Sequence, residues 1–270
     1  MTPALHDARY FALRLIRKWL FPTAIPARVA RFIPGMGVSY GTTTGAGVFG
    51  IYDGQLAPLE PEWLVGKTVL DLGCGETNSC AYEMAAHGAS FCYAVEPFVR
   101  VDHGLDRRAL NVSSAAHGIP AAHLATKVER KETLSSVPAN TVDWVVSNSV
   151  LEHVSDLGTL CQELKTVLRP GGRMLHAVDY RDHYFRYPYN HLLWSKSTWE
   201  RYLNPGDLPR WRIGDHAAAF ARCGWRVTVL KATKIPAAFE FVRGRIHPEF
   251  SHYALQDLET ALGVLLCSDE

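Results

Sequence analysis

Short apolar runs alternate with longer segments of helical periodicity over residues 67–180. The strand-like runs are rich in apolar residues, as buried strands are: KTVLDLG, SFCYAVEP, ATKVER, VDWVVSNS and RMLHAVDY. The helix-like segments place apolar residues three and four apart: SCAYEMAAHG, VDHGLDRRALNVSSAAHG and DLGTLCQELKTVL, the last closed by the turn RPGG. This alternation predicts an α/β fold, a mostly parallel sheet with helices on both faces.

The remaining third of the chain continues this pattern with fewer elements. DHAAAFARCGW is typical of a helix, RVTVLKATK of a strand, and SHYALQDLETALGVLLCS of a helix followed by a last strand. Right-handed crossovers place ligands at the carboxyl ends of parallel strands. Polar residues fall at four of these predicted ends: Asp71, Glu96, Asn148 and Asp179.

The first 64 residues precede the alternating pattern, so we divide the chain into an N-terminal part, 1–64, and a main domain, 65–270. ARYFALRLIRKWLFP predicts a helix ending at Pro22, with one apolar face made by Ala8, Phe11, Ala12, Leu15 and Trp19. Its basic residues leave two roles open, a cap packed on the domain and a membrane-surface or transit segment. Residues 35–54 are glycine-rich without a P-loop ending and predict a flap that carries Tyr40 and Tyr52.

Composition narrows the class of protein. The 270 residues are 47% hydrophobic and 20% charged with a net charge of +1, which fits one globular domain and argues against nucleic-acid binding. Six scattered cysteines without a CxxC pair favour reduced, buried thiols. No apolar stretch approaches the roughly 18 residues of a transmembrane helix, and no secretory signal opens the chain. We therefore expect a cytoplasmic protein without a transmembrane segment.

The stretch VLDLGCGETNSC carries the main signal for a ligand. Gly73 and Gly75 follow the first predicted strand, where a tight turn lets backbone approach a ligand closely. Glu96 ends the second strand about 20 residues later, the spacing at which a carboxylate binds ribose hydroxyls. A dinucleotide site needs a third glycine at position 78, where this chain has Asn78.

Four segments together identify a family: VLDLGCG, AVEP, DWVVSNSVLEHVSD and VLRPGGRML. In order and approximate spacing they resemble the class I S-adenosylmethionine-dependent methyltransferases, in a small-molecule branch similar to the quinone-biosynthesis enzymes. The resemblance covers residues 65–180 and implies a Rossmann-like sheet of seven strands with an antiparallel final strand. It also implies S-adenosylmethionine as cofactor and a small-molecule acceptor.

The same resemblance implies a set of cofactor-binding residues. They are Asp71, Gly73, Cys74, Gly75 and Asn78 around the first turn, Glu96 and Pro97 at the ribose, and Ser147, Asn148 and Ser149 along the site. Thr77 stands where the family usually has its third glycine. The family's aspartate near the adenine is absent from VERKETL, so Glu132 or Glu129 would substitute, or backbone groups alone would serve.

Methyl transfer from a sulfonium asks the protein mainly to align the acceptor and exclude water. A hydroxyl acceptor also benefits from a base whose pKa is near 7. Candidate bases are His183 beyond the fifth strand and His153 after the fourth, with His191 third. A structural role for His153 stays open, as does the choice between O-, N- and C-methylation.

Residues 180–211 form a long insertion that contains nine of the chain's 29 aromatic residues. We interpret it as the acceptor cap, with substrate contacts from Tyr180, Arg181, Tyr184, His191 and Trp194. A small helical subdomain that packs its own aromatic core is equally compatible. Four arginines would bind an acceptor anion or form a solvated face: Arg181, Arg186, Arg210 and Arg212. PAAFEFVRGRIHPEF is a second acceptor-side candidate.

No metal site is expected from the sequence. An acidic residue directly precedes a histidine at four places, but adjacent residues do not face one point and the spacing is not that of a zinc site: 102–103, 152–153, 182–183 and 215–216. Two other functions compete with a small-molecule methyltransferase. One is a non-catalytic, cofactor-binding partner subunit, and the other is a membrane-surface enzyme acting on a lipid or quinone precursor. The oligomeric state stays open, a homodimer included.

Overall fold

One seven-stranded sheet organises the protein. The computed structural model describes residues 3–20, 44–182, 187–204 and 208–269. The strands are β1 Thr68–Leu72, β2 Phe91–Val95, β3 Val128–Lys131, β4 Val142–Asn148, β5 Leu168–Asp179, β6 Arg226–Lys234 and β7 Thr260–Ser268. Their order is β3-β2-β1-β4-β5-β7-β6, and only β7 runs antiparallel to its neighbours. The predicted Rossmann-like sheet with an antiparallel final strand is confirmed.

Helices pack on both faces of this sheet. The helices of the described residues are α1 Pro3–Leu20, α2 Gly45–Leu56, α3 Ser79–Ala86, α4 His103–His117, α5 Ala121–Thr126, α6 Leu157–Val167, α7 Lys196–Thr198, α8 Ile213–Arg222, α9 Pro236–Arg243 and α10 Leu255–Glu259. Short 3-10 turns span Leu134–Ser136, Leu151–His153, Asn190–Leu193 and Pro248–Phe250, and a π turn spans Trp199–Leu203.

Alternate strand residues supply two separate cores. Leu70 and Val145 belong to the core that includes Phe220 of α8, and Val69 and Trp144 belong to the core under α2 and α3. The central strands β1, β2 and β4 and most of β5 are buried on both faces, so their sequences are nearly continuous apolar runs. This burial is why the apolar runs located the central strands.

The glycine-rich segment is helical where the structure describes it, so the flap prediction is wrong for residues 45–54. Thr44 caps α2, and its hydroxyl accepts a hydrogen bond from the Gly47 backbone N–H at 3.2 Å. Phe49, Tyr52 and Leu56 are buried on one face, and their burial offsets the low helix propensity of the glycines. Tyr40 lies outside the described residues.

The N-terminal helix packs on the domain through Phe11 of the predicted apolar face together with two residues outside that face, Tyr10 and Arg14. Ala8 and Ala12 are exposed, whereas Tyr10 and Arg14 are buried. Both buried side chains donate hydrogen bonds to the carboxylate of Asp182, just beyond β5. A buried ion pair therefore orients α1, which a pattern based on apolar residues alone does not show.

The predicted turn RPGG lies inside β5, so the prediction of a separate turn is wrong. Val142 pairs with Leu168, and the register then shifts so that Trp144 pairs with Arg173. The extra residues form an irregularity in the strand, and Gly171 has a φ of +77° there.

The sequence also led us to expect reduced cysteines and no transmembrane segment. All six cysteines are free thiols, four of them buried and two, Cys74 and Cys223, partly exposed. In the four described stretches, no helix combines the length and apolarity needed to cross a membrane.

Candidate active site

Polar side chains meet at the carboxyl edge of the central strands, as predicted. Asp71 lies near the end of β1, Glu96 follows β2, and Asn148 and Asp179 end β4 and β5. The order of strands reverses beside β1, which has β2 on one side and β4 on the other. Such a reversal opens a crevice at the strand ends in doubly wound sheets.

The loop after β1 depends on two glycines in left-handed conformations. Gly73 has a φ of +78° and Gly75 a φ of +68°. A Cβ on Gly73 would lie 2.3 Å from Cγ2 of Val150, whereas a Cβ on Gly75 would meet nothing within 4 Å. Gly73 therefore permits a close approach of two segments, and Gly75 borders open space.

Glu96 is held rigidly beside this loop. Its Oε2 accepts a hydrogen bond from the Gly75 N–H at 3.0 Å, and its Oε1 accepts from Phe98 and Val99 at 3.0 and 3.2 Å. These bonds fix the carboxylate while leaving lone pairs for ribose hydroxyls. Pro97 is exposed, and Phe98 is 92% exposed, so an aromatic ring is available next to the carboxylate.

Asp71 is a buried acid with an unusual proton affinity. Burial and the nearby charge of Glu96 raise the pKa of Asp71 to about 7, and Arg130 opposes this shift. A ligand cation at this position would stabilise the ionised form of Asp71. The site is thus suited to the positively charged methionine end of S-adenosylmethionine.

Arg130 on β3 is a site residue that the sequence analysis missed. Its guanidinium donates to the Gly75 carbonyl at 2.6 Å, to Asn78 Oδ1 at 3.1 Å and to the Val99 carbonyl at 2.9 Å. It also lies 3.1 Å from Sγ of Cys74. This single side chain ties the glycine loop to the segment after Glu96.

The two acidic residues of VERKETL lie at the surface, whereas Arg130 is partly buried. Glu129 and Glu132, the proposed adenine substitutes, are both exposed, and Glu129 pairs with Lys131 at 2.8 Å. Asn78 is buried and bonded to Arg130, so its side chain supports the loop. The signal in the sequence that could have identified Arg130 was a basic residue on the predicted third strand, which runs parallel to the strand that Glu96 follows.

The segment at the end of β4 divides its side chains between the core and the site. Ser147 is fully buried, and its hydroxyl lies 2.8 Å from Nδ1 of His176, so it does not face the crevice as expected. Burial lowers the pKa of His176 to about 3, which keeps this ring neutral. Asn148 is partly exposed and Ser149 is exposed, with a φ of +57°.

A cleft of about 360 Å³ opens at the ends of β4 and β5. Its lining residues come from α2, β4, β5, β6 and β7: Gly50, Ile51, Gln55, Asn148, Ser149, Ala177, Val178, Asp179, Arg181, Lys231, Thr233, Leu262, Gly263 and Val264. Arg181 donates from Nε and Nη2 to Asp179 at 2.9 and 2.7 Å, which fixes its guanidinium at the wall. Arg181 is thus the predicted acceptor residue that the structure places in this cleft.

Three other predicted acceptor residues lie in packed surroundings. The Tyr180 hydroxyl donates to Nδ1 of His216 at 2.8 Å in the core, because Nε2 of that histidine donates to the Leu151 carbonyl. His191 is buried, and Trp194 packs against Phe11 of α1 with ring centroids 5.2 Å apart. Their apolar surfaces stabilise the insertion, so the prediction that they line the acceptor cleft is not supported by their positions.

Two arginines predicted either to bind an acceptor anion or to form a solvated face, Arg210 and Arg212, are buried instead. Arg210 is buried and pairs with Glu249 at 2.6 Å. Arg212 is buried and donates to the Tyr180 carbonyl at 2.5 Å. Neither side chain lines the cleft at the ends of β4 and β5, and neither forms a solvated surface. Arg186 lies outside the described residues.

The aromatic insertion builds small cores with its neighbours. Tyr187 and Trp199 cluster with Tyr10 of α1, and Tyr189 packs on Phe239 of α9 with ring centroids 5.2 Å apart. These three rings therefore pack in the core of a small subdomain, which was the alternative to an acceptor-binding wall.

The structure describes one of the two proposed bases, His153. His183, like Tyr184, lies outside the described residues. His153 is exposed in the turn after β4, while its neighbour Glu152 is buried and accepts a hydrogen bond from the Asp179 N–H at 3.3 Å. Burial raises the pKa of Glu152. Glu152 was overlooked because sequence reasoning favoured histidines.

The residues at the crevice fit the expected cofactor. Gly75 leaves open space for a close backbone approach, and the oriented carboxylate of Glu96 suits a ribose diol. Asp71 suits a cation, and the exposed ring of Phe98 offers a face for a base. These features lie within one loop system tied together by Arg130.

Known proteins with similar sequences support this interpretation. A ubiquinone biosynthesis O-methyltransferase from Methylobacterium sp. (strain 4-46) is 30% identical over 168 residues, covering 57% of this chain and 60% of that protein. Another from Bradyrhizobium sp. (strain ORS 278) is 23% identical over 172 residues, covering 60% and 62%. The match thus spans about three fifths of each of these relatives.

A solved structure shares the fold at low sequence identity. It is a Haemonchus contortus phosphoethanolamine N-methyltransferase 2, with a TM-score of 0.51, 13% identity, and coverage of 94% of this chain and 66% of that one. The sequence profile of the methyltransferase domain family matches residues 48–228. Because that match covers more than half of the chain, the protein belongs to the methyltransferase domain family, and the predicted S-adenosylmethionine-dependent class I domain is confirmed.

Proposed function

We propose that this protein transfers a methyl group from S-adenosylmethionine to a hydroxyl of a small organic acceptor bound in the cleft at the ends of β4 and β5. The observation that carries the proposal is the continuity of the two sites. Asn148 and Ser149 line the cleft, and the next residue, Val150, packs against Gly73 of the cofactor loop. An acceptor in the cleft would therefore lie next to the methyl donor.

The lining of the cleft favours an acceptor with an apolar body and an acidic hydroxyl. Ile51, Leu262 and Val264 provide apolar surface, and Lys231 provides a positive charge. The charge of Arg181 is paired with Asp179, which lines the same cleft. Nearby cations stabilise the oxyanion form of a hydroxyl, which is the nucleophilic form. The names of the two relatives, both O-methyltransferases, support oxygen over nitrogen as the acceptor atom.

The residues of this chain would contribute mainly by positioning. When bound, S-adenosylmethionine supplies an electrophilic methyl group. Glu96 and the Gly73–Gly75 loop would orient the donor, the cleft walls would orient the acceptor, and both would exclude water. His153 remains the proposed base within the described residues, and His183 remains a proposal from the sequence.

The two competing functions predict different results. The non-catalytic alternative predicts cofactor binding without product. The membrane-surface alternative needs the basic residues of α1, and Arg14 is buried against Asp182. This contact favours a role for α1 in packing.

The test is a turnover assay with S-adenosylmethionine and a panel of phenols, catechols and matched anilines, with and without an apolar chain. We expect S-adenosylhomocysteine and a methyl ether from apolar phenols, with turnover reduced in an Arg181→Met variant. Methylation of anilines alone would overturn the choice of oxygen. Cofactor binding without product across the whole panel would favour the non-catalytic alternative.

A further inference from the structure

Three side chains outside the methyltransferase site converge at the far end of α3. Glu83 lies on α3, His87 follows that helix, and His117 is the last residue of α4. One ligand atom from each lies within 4.8 Å of the others, the only such group of three in the described stretches of the chain. We propose that Glu83, His87 and His117 bind a divalent metal ion of the zinc type.

The carboxylate of Glu83 is arranged as a metal ligand would be. It is buried, and its Oε1 accepts a hydrogen bond from the hydroxyl of Ser113. Its Oε2 accepts from Nε2 of His117 at 2.9 Å. Partners behind a ligand that fix its orientation are typical of metal sites, and Ser113 has that position here. A cation can replace the proton shared between Glu83 and His117, since metal ligands bind in their deprotonated forms.

His87 is oriented in the same way. Its Nδ1 donates to the backbone carbonyl of Glu83 at 2.9 Å, so the other ring nitrogen, Nε2, carries the free lone pair. Phe49 of α2 stacks on this ring with centroids 4.2 Å apart, and the ring of His117 meets it edge-on at 4.7 Å. Aromatic packing on one side and a hydrogen bond on the other hold the imidazole close to Glu83.

The chemistry of the donor set indicates which cation the site would take. Two imidazoles and one carboxylate form a three-ligand set known for zinc, with a fourth position for water. His87 is exposed, which gives an entry path from solvent. Small side-chain rotations would bring the ligand atoms to the spacing of a tetrahedral site, at bond lengths of about 2.0–2.2 Å.

The position of the site implies a structural role. α3 has eight residues, so its two ends are about 12 Å apart. At the cofactor end, Asp106 of α4 already accepts hydrogen bonds from the Asn78 N–H at 2.7 Å and the Tyr82 hydroxyl at 2.9 Å. At the other end, Ser113 and His117 of α4 already bond to Glu83, and a cation there would strengthen this connection between α3 and α4, away from the methyl-transfer chemistry.

The experiment is a thermal melt of the full-length protein after removal of metals with EDTA, with and without ZnCl2. Zinc at about 100 times its dissociation constant should raise the melting temperature by about 5 °C for a domain of this size. A His117→Gln variant should lose this shift while its amide still donates to Glu83. His87→Gln should also lose it, and the exposed control His123→Gln should keep it.

A second measurement separates this site from binding by cysteines. Titration with CoCl2 should give a visible absorption band that saturates at one equivalent of cobalt per chain, without a thiolate charge-transfer band. The visible cobalt band should disappear in His117→Gln. Circular dichroism and the urea midpoint of each variant verify folding. No zinc-dependent shift in the wild-type protein, or an equal shift in His117→Gln, would overturn the proposal. Neither outcome depends on whether the methyltransferase function is correct.

Discussion

Gly73→Ala is expected to destabilise the protein more than Gly75→Ala, although both glycines have a positive φ. The left-handed conformation of a residue with a Cβ costs about 1–2 kcal/mol, and this cost applies to both variants. Only at Gly73 does the added methyl group meet a neighbour, Cγ2 of Val150 at 2.3 Å. Overpacking of this kind costs a further ~1–3 kcal/mol, so Gly73→Ala should lose about 2–5 kcal/mol in total.

A double-mutant cycle isolates the steric part of this loss. Adding Val150→Ala to Gly73→Ala removes the clash and should recover about 1–3 kcal/mol of the free energy of unfolding, measured in urea. The same Val150→Ala change combined with Gly75→Ala is the matched control and should be additive. Equal losses in Gly73→Ala and Gly75→Ala, or additivity in both pairs, would show that the close contact between these segments is not as described.

Three further predictions concern charges. Affinity for S-adenosylmethionine, measured by calorimetry, should fall as the pH drops from about 8 to about 6. The pKa of Asp71 is raised to about 7, so protonation in this range removes the negative charge that attracts the ligand cation. The Asp71→Asn variant should bind weakly at both pH values. Arg130→Met should weaken cofactor binding about tenfold, since Gly75 loses its tie to β3, and Arg130→Lys should recover only part of it. Arg14→Met or Asp182→Asn should each cost about 3–5 kcal/mol of unfolding free energy in urea, with the double variant losing less than the sum of the two.

The sheet and the cofactor loop were predictable because their signals are local. Buried parallel strands appear as apolar runs, and Gly73 and Glu96 follow the strands that place them. The sequence analysis failed where a polar residue is buried. Arg14 lies on the packed face of α1 because Asp182, 168 residues away, supplies its partner. No periodicity encodes such a pairing.

The acceptor side was the least predictable region for a related reason. Aromatic residues suit a ligand wall and a packed core equally, and only the fold decides between them. Tyr189 packs on Phe239 of α9, which is 50 positions further along the chain. The proposed metal ligands were not predictable for the same reason, because Glu83 and His117 are 34 positions apart in the sequence and only the packing of α3 against α4 brings them together.

The central claim is that the loop after β1 and the carboxylate after β2 form one cofactor site. Isothermal titration of the wild-type protein with S-adenosylmethionine and with S-adenosylhomocysteine tests it directly, with Glu96→Ala as the comparison. We predict one site per chain for both ligands, and an affinity reduced by tenfold or more, about 1.4 kcal/mol, in Glu96→Ala. No heat with either ligand, or equal affinity in the wild type and a folded Glu96→Ala, would contradict the account.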